Sequence, residues 1–143
     1  MHLLDVNVLI ALADRQHPHF QAALSWFQAN AAAEWATCPL TENGFLRILG
    51  HSSYSSGPGS PAAAATILEG MKQAVPQHHF IPDDVSLLDF GLSSLPKVTS
   101  GQLTDIYLLA LAVKHRAKFL SLDRRIDPSL VPGGPAAYVQ LTP

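Results

Sequence analysis

The N-terminal stretch MHLLDVNVLIALA, Met1–Ala13, constrains the fold more than any other part of this chain. Leu3, Leu4 and Val6 suit a short buried strand, and the apolar residues that follow recur at helical spacing. The change from strand to helix must therefore fall near Asp5. A carboxylate at that point either caps the helix or lies at the carboxyl end of a central strand, where open α/β sheets bind ligands. The stretch by itself leaves both interpretations open.

Composition and charge limit the classes of protein to which this chain can belong. The 143 residues are 48% hydrophobic and 14% charged, which predicts one domain, residues 1–143, with a substantial core. The net charge of -2 gives no general attraction to nucleic acid, so a polyanion would need a local basic patch or bound cations. The single cysteine, Cys38, permits no internal disulfide. Because the N-terminal stretch lacks the basic region of a signal peptide, we expect a cytoplasmic protein.

Short apolar strands alternate with amphipathic helices along the rest of the chain. After the first strand, the pattern predicts strands at 35–38, 78–81, 118–122 and 138–141. It predicts a helix that begins near Pro18 and further helices at 40–49, 62–74, 85–95 and 103–116. The Ser-, Gly- and Pro-rich stretch 51–61 is predicted to be a mobile surface loop. Alternation of this kind indicates an α/β fold with a mostly parallel central sheet of about five strands.

Four acidic residues occupy positions that this fold would bring together. Asp5 and Asp123 end the first and fourth strands, whereas Glu42 and Asp105 each lie in the first turn of a helix. The carboxyl ends of parallel strands share one edge, so these acids would meet there if strands one, two and four are neighbours. Close carboxylates raise one another's pKa, and a hard divalent cation such as Mg²⁺ or Mn²⁺ would compensate their charge and activate water.

The basic side chains are concentrated near the C-terminus, where five of the nine Lys and Arg residues lie within 114–125. We expect Lys114 and Arg116 to be solvated at a helix end, where positive charge suits the helix dipole. Arg124 and Arg125 directly follow the fourth acid, and we expect them to contact substrate phosphates. The seven histidines are scattered, and we expect them to be structural or exposed.

The chain resembles PIN domains, in particular the VapC-type toxins of toxin–antitoxin pairs. The resemblance rests on LLDVNVLIALAD at 3–14, HPHFQAALSWF at 17–27, LTENGFLRIL at 40–49 and LTDIYLLALAVKHRAKFLSLDRRI at 103–126. Each motif alone is weak, but the motifs are specific together because they follow in register across nearly the whole chain. The resemblance implies a PIN-like three-layer α/β/α domain.

The same resemblance implies a metal-dependent ribonuclease that hydrolyses RNA phosphodiester bonds with Mg²⁺, or with Mn²⁺ in its place. Four positions match the acidic quartet of the family: Asp5, Glu42, Asp105 and Asp123. Asp5 and Asp105 would be the principal metal ligands, and the other two acids would complete the site. Asn7 and Thr104 match polar positions that would support these ligands by hydrogen bonds. The family also implies a cognate antitoxin protein and a homodimer.

Two other functions stay open at this point. A haloacid-dehalogenase-like phosphohydrolase also carries an aspartate at the end of its first strand. That mechanism needs a second aspartate two residues later as acid and base, and this chain has Asn7 there. A non-catalytic α/β scaffold that binds RNA or protein is the other alternative, although a cluster of unused buried acids would cost stability.

Overall fold

The computed structural model of the protein describes residues 1–30, 34–88 and 95–142. Its strands are β1 (His2–Leu4), β2 (Trp35–Thr37), β3 (His78–Phe80), β4 (Lys118–Ser121) and β5 (Tyr138–Gln140). They pair in parallel to form one sheet with the order β3-β2-β1-β4-β5. This sheet confirms the predicted α/β class. The first strand is central, and β2 and β4 are its neighbours, as the clustering of the acids requires.

The helices are α1 (Val6–Ala13), α2 (Phe20–Asn30), α3 (Pro39–Leu49), α4 (Pro61–Ala74), α5 (Leu103–Lys114) and α6 (Gly134–Ala137). Short 3-10 helices lie at Leu95–Lys97, Ser100–Gln102 and Pro128–Leu130. Val6 begins α1 rather than ending the first strand, so the strand is shorter than predicted. None of the helices in the described ranges has the length and apolarity needed to cross a membrane.

The helix predicted over 85–95 is wrong in the part that the structure describes. Residues 85–86 have no regular structure, 87–88 form a turn, and 89–94 lie outside the described residues. The side chain of Leu88 is 87% exposed, so the apolar spacing that suggested a helix face has no core to pack against at this position.

Successive side chains of β1 and β4 point to opposite faces of the sheet, so the core has two layers. Leu3 and Phe119 lie in one cluster of buried side chains together with the inner face of α5. Leu4 and Leu120, one residue further along each strand, lie in the other cluster with buried residues of α1, α2, α3 and α4. Helices therefore cover both faces of the sheet, which is the expected three-layer α/β/α arrangement.

Candidate active site

Asp5 follows the last residue of β1 and is the N-cap of α1. Its backbone is extended, and its Oδ1 accepts a hydrogen bond of 2.7 Å from the N–H of Val6. Its backbone N–H also donates to the carbonyl of Leu120 at 2.9 Å, which extends the pairing with β4. Asp5 is only 7% exposed. The two interpretations of this residue are therefore compatible, because the cap position is also the carboxyl end of the central strand.

Ser121, the last residue of β4, connects three of the polar groups around Asp5. Its hydroxyl donates to Asp5 Oδ2 at 2.5 Å and accepts from Asn7 Nδ2 at 3.1 Å and from the N–H of Asp123 at 3.0 Å. Asn7 Oδ1 in turn accepts from the N–H of Leu122 at 3.1 Å. The start of α1 and the end of β4 are thus fixed to each other, with Asp5 and Asp123 on either side of one buried hydroxyl.

The electrostatics show that three of the four predicted acids share one environment. Burial raises the pKa of Asp5 to about 6, and the charges of Asp105 and Asp123 add to the rise. Burial also raises the pKa of Asp105, with a further contribution from the charge of Asp123. Proton binding to Asp5 or Asp105 relieves the repulsion among these acids, and a cation would relieve it in the same way.

Among these three acids, Asp123 is the one whose charge is already compensated by a neighbouring cation. Its Oδ1 accepts from the N–H and Nε of Arg125 at 2.8 and 3.0 Å, and its Oδ2 accepts from Nη2 at 2.8 Å. These hydrogen bonds hold the pKa of Asp123 below its usual value. The guanidinium is 88% exposed, so it covers the carboxylate from the solvent side. Its neighbour Arg124 is also exposed.

Glu42, the fourth acid, contacts a different set of partners. It lies in the first turn of α3, and its Oε1 accepts from the Thr37 hydroxyl at 2.6 Å and from Lys72 Nζ of α4 at 2.5 Å. Thr37 Oγ1 also lies 2.7 Å from His78 Nε2. Because the only hydroxyl proton of Thr37 goes to Glu42, the Nε2 of His78 must be a donor to Thr37. Glu42 is therefore held by an ion pair across two helices.

A groove of about 410 Å³ lies beside the acids, and we call it the acid groove. Its lining combines two of the predicted acids with apolar and aromatic side chains: Asp5, Val6, Asn7, Ile10, His17, Ile48, Tyr54 and Asp105. Thr104, which was predicted to support the acids, is exposed in the first turn of α5. The groove gives Asp5 and Asp105 a common opening to the solvent.

The chemistry of the donors fits a hard divalent cation, since the groove offers carboxylate oxygens and no thiolate. The raised pKa values of Asp5 and Asp105 also indicate that a positive charge would be favourable there. Within the described ranges, no group of three His, Cys, Asp or Glu side chains converges closely enough to hold an ion. Glu42 and Asp123 instead pair with Lys72 and Arg125.

The sequence interpretation missed several residues of this region. Ser121 is the clearest case, although a polar residue near the end of a predicted buried strand, two positions before a predicted acid, was a usable signal. Lys72 and Tyr54 gave no local signal, because their partners lie 30 and 40 residues away along the chain. His17 was grouped with the scattered histidines, and the structure places it in the lining of the acid groove.

Comparison with known proteins agrees with this architecture. Residues 2–128 match the PIN domain family model. The chain is 38% identical to "Ribonuclease VapC44" of Mycobacterium tuberculosis (strain ATCC 25618 / H37Rv), over 92% of each chain. It is 41% identical to "Ribonuclease VapC38" of the same strain, over 86% of this chain and 85% of the relative. The chain therefore belongs to the PIN domain family.

Proposed function

We propose that this protein is a ribonuclease that hydrolyses RNA phosphodiester bonds and acts as the toxin of a VapBC-type toxin–antitoxin pair. The observation that carries the proposal is the common environment of Asp5, Asp105 and Asp123 at the carboxyl edge of the sheet. Burial of the Asp5 carboxylate beside two other carboxylates is costly unless these acids have a use. The names of the relatives, all ribonucleases, point to RNA as the substrate.

Mg²⁺ is the cofactor that we propose, with Mn²⁺ as a substitute. Asp5 and Asp105 would be its principal ligands, and Glu42 and Asp123 would complete the site. When bound, such an ion polarises a phosphate and lowers the pKa of a coordinated water. Lys72 and Arg125 now neutralise the two acids that would complete the site, so these ion pairs would have to loosen when a metal binds.

The remaining polar residues would orient the acids and the substrate. The Val6 N–H and the Ser121 hydroxyl each hold one oxygen of Asp5, which fixes the direction of the carboxylate. Asn7 would support Asp5 through Ser121, and Thr104 would act beside Asp105. Arg124 and Arg125 would bind phosphates of the RNA, because both are exposed beside the fourth acid.

The same proposal includes the partners that the family implies. A cognate antitoxin protein would bind the toxin and block its activity, and the toxin would form a homodimer. The protein would act in the cytoplasm, where its RNA substrate is found.

The test is cleavage of total cellular RNA by the wild type and by Asp5→Asn, each with Mg²⁺, Mn²⁺ or EDTA. We expect metal-dependent cleavage that falls by about 1,000-fold or more in the variant, the loss of several kcal/mol of transition-state stabilisation. Asp127→Asn is the matched control, because it makes the same chemical change at an exposed carboxylate. Equal cutting by Asp5→Asn and the wild type would contradict the proposal. RNA binding without cutting would favour a non-catalytic scaffold.

A further inference from the structure

The acid groove has a second part that the proposed chemistry does not use. Besides the acids, its lining includes the aromatic ring of Tyr54, the imidazole of His17 and the apolar side chains of Ile10 and Ile48. Ile48 is 38% exposed, although it is a large apolar residue. Metal-assisted hydrolysis does not need a planar ring or an exposed isoleucine, so these residues call for another role.

Tyr54 is held in this position through its hydroxyl. The O–H of Tyr54 donates to Asp14 Oδ2 at 2.9 Å, and Asp14 Oδ2 also accepts from the Ser56 hydroxyl at 2.7 Å. Asp14 Oδ1 accepts from the N–H of Gln16 at 2.9 Å, so the carboxylate is fixed at the end of α1. Because the polar end of Tyr54 is already bonded within the protein, the ring is the part that remains for contacts in the groove.

The stretch that carries Tyr54 is folded around this residue. Its N–H donates to the carbonyl of His51 at 3.0 Å, and its own carbonyl accepts from the N–H of Gly57 at 3.0 Å. A Cβ at Gly57 would lie 2.7 Å from the carbonyl oxygen of Leu49 and 3.1 Å from the Tyr54 ring, so only glycine lets the loop close there. The Ser-, Gly- and Pro-rich stretch lacks helix and strand as predicted, but it is tied to α1.

His17 adds a hydrogen-bond donor to the groove. Its Nδ1 accepts from the N–H of His19 at 3.1 Å, so in the neutral imidazole the proton is on Nε2. An aromatic face, a donor and apolar side chains are the groups with which proteins bind unpaired bases of RNA, by stacking and by contacts to base edges. The groove volume of about 410 Å³ is also within the usual range of small-ligand sites, roughly 300–1,000 Å³.

We propose that Tyr54 and His17 form a binding subsite for a nucleobase of single-stranded RNA next to the bond that is cut. Tyr54 provides the stacking surface, His17 contacts the edge of the base, and Asp14 is a positioning residue that acts through Tyr54. This inference rests on the proposed ribonuclease function, since it assigns the acids to the phosphate and the rest of the groove to the base. The Ser-, Gly- and Pro-rich stretch, which carries Tyr54 and ends where α4 begins at Pro61, would then help to determine which RNA sequences are preferred.

The test uses Tyr54→Leu, which removes the ring, and Tyr54→Phe, which removes only the hydroxyl. Binding of fluorescein-labelled homopolymeric RNA oligonucleotides of each base is measured in an Asp5→Asn background with Mg²⁺. We expect Tyr54→Leu to weaken binding of the preferred base about tenfold, the effect of losing one base–aromatic stack. Tyr54→Phe should bind within about threefold of the parent, because the ring stays. His17→Ala should reduce the difference between bases.

Ser56→Ala is the matched control for a purely structural role. It removes a hydrogen bond to the same Asp14 oxygen as Tyr54, but Ser56 does not line the acid groove. It should lower the melting temperature without changing the order of preference among the bases. If Ser56→Ala and Tyr54→Leu change base preference equally, the effect comes from the loop as a whole and the subsite is wrong.

Mapped cleavage sites in total RNA separate this inference from the proposed function. Wild-type cleavage with an unchanged site preference in Tyr54→Leu would overturn the subsite and leave the ribonuclease standing. Absence of cleavage by the wild type, together with a tenfold loss of binding in Tyr54→Leu, would overturn the ribonuclease and retain only the binding of a base by Tyr54. Failure to bind or cut any RNA would overturn both.

Discussion

Two buried aspartates stand at the opposite ends of helix α1, and they differ in almost everything except burial. Asp5 is the N-cap and Asp14 is the C-cap, and each is 7% exposed. The helix dipole alone would stabilise a negative charge at Asp5 and destabilise one at Asp14. The pKa shifts have the opposite signs. The pKa of Asp5 rises to about 6, whereas that of Asp14 falls below its usual value.

The neighbours of each carboxylate explain this reversal. Burial would raise the pKa of Asp14, but hydrogen bonds from Ser56, the Gln16 N–H and Tyr54 outweigh burial and lower it. Asp5 also accepts two hydrogen bonds, but burial raises its pKa more than they lower it, and the charges of Asp105 and Asp123 add to the rise. The comparison teaches that donors make Asp14 a structural anchor, whereas burial beside two other acids leaves the charge of Asp5 uncompensated.

The largest stability effect is expected at Asp14. Asp14→Ala should lower the free energy of unfolding by about 2–4 kcal/mol, because it removes the buried carboxylate that accepts hydrogen bonds from three residues. Urea denaturation at neutral pH measures this loss, and Asp14→Asn should lose less because one oxygen remains. The stabilisation should also fade as the pH drops. A group whose pKa is lower in the folded state contributes its full stabilisation above its unfolded pKa. This stabilisation is lost as the pH falls through the folded pKa. A loss below about 0.5 kcal/mol in Asp14→Ala would show that Asp14 does not anchor the loop.

Asp5→Asn should have the opposite effect on stability. The folded pKa of about 6 against an ordinary value of 3.8 corresponds to a cost of about 3 kcal/mol for the charged form at high pH. Asparagine removes that cost but loses one hydrogen bond, of about 1 kcal/mol, so the net gain should be about 1–2 kcal/mol in EDTA at pH 8. The cost develops as the pH rises from the unfolded towards the folded pKa. The gain should therefore disappear near pH 4. Destabilisation at pH 8 would show that the cost of the buried charge at Asp5 is not the dominant effect.

Sequence patterns predicted those features of the molecule that depend on the spacing of residues close together in the chain. The positions of the strands and of most helices, and the place of Asp5 at the end of β1, follow from short-range spacing, because burial on a strand or helix repeats with a fixed period. The helix predicted over 85–95 failed in its described part, where Val85 and Leu87 pack against the core without a helix and Leu88 is exposed. Apolar spacing alone does not show which backbone conformation brings such side chains to the core. Residues 89–94 lie outside the described ranges.

The hydrogen bonds that distinguish Asp5 from Asp14 could not be predicted from local spacing. Asp14 accepts from residues 40 and 42 positions later, and Ser121 reaches Asp5 across 116 positions. The carboxylates themselves were predicted as a group, but the cations that pair with two of them were not. Lys72 was absent from that prediction, and Arg125 was assigned to substrate rather than to Asp123. Such contacts depend on how whole elements pack, which no single stretch contains.

The smallest expected effect is the response of stability to metal. At a Mg²⁺ concentration of about five times its dissociation constant, binding to the folded state alone should stabilise the wild type by about 1 kcal/mol, or roughly 2–4 °C in melting temperature. Asp5→Asn should respond much less, because it removes the carboxylate that we propose as a principal ligand and part of the repulsion that a metal would relieve. Asp14→Asn should respond like the wild type, although it melts at a lower temperature. Thermal denaturation at pH 8, with Mg²⁺ or EDTA at matched ionic strength, measures all three proteins. Equal shifts in Asp5→Asn and the wild type would mean that the ion binds elsewhere, and the two ends of α1 would then differ in electrostatics but not in metal binding.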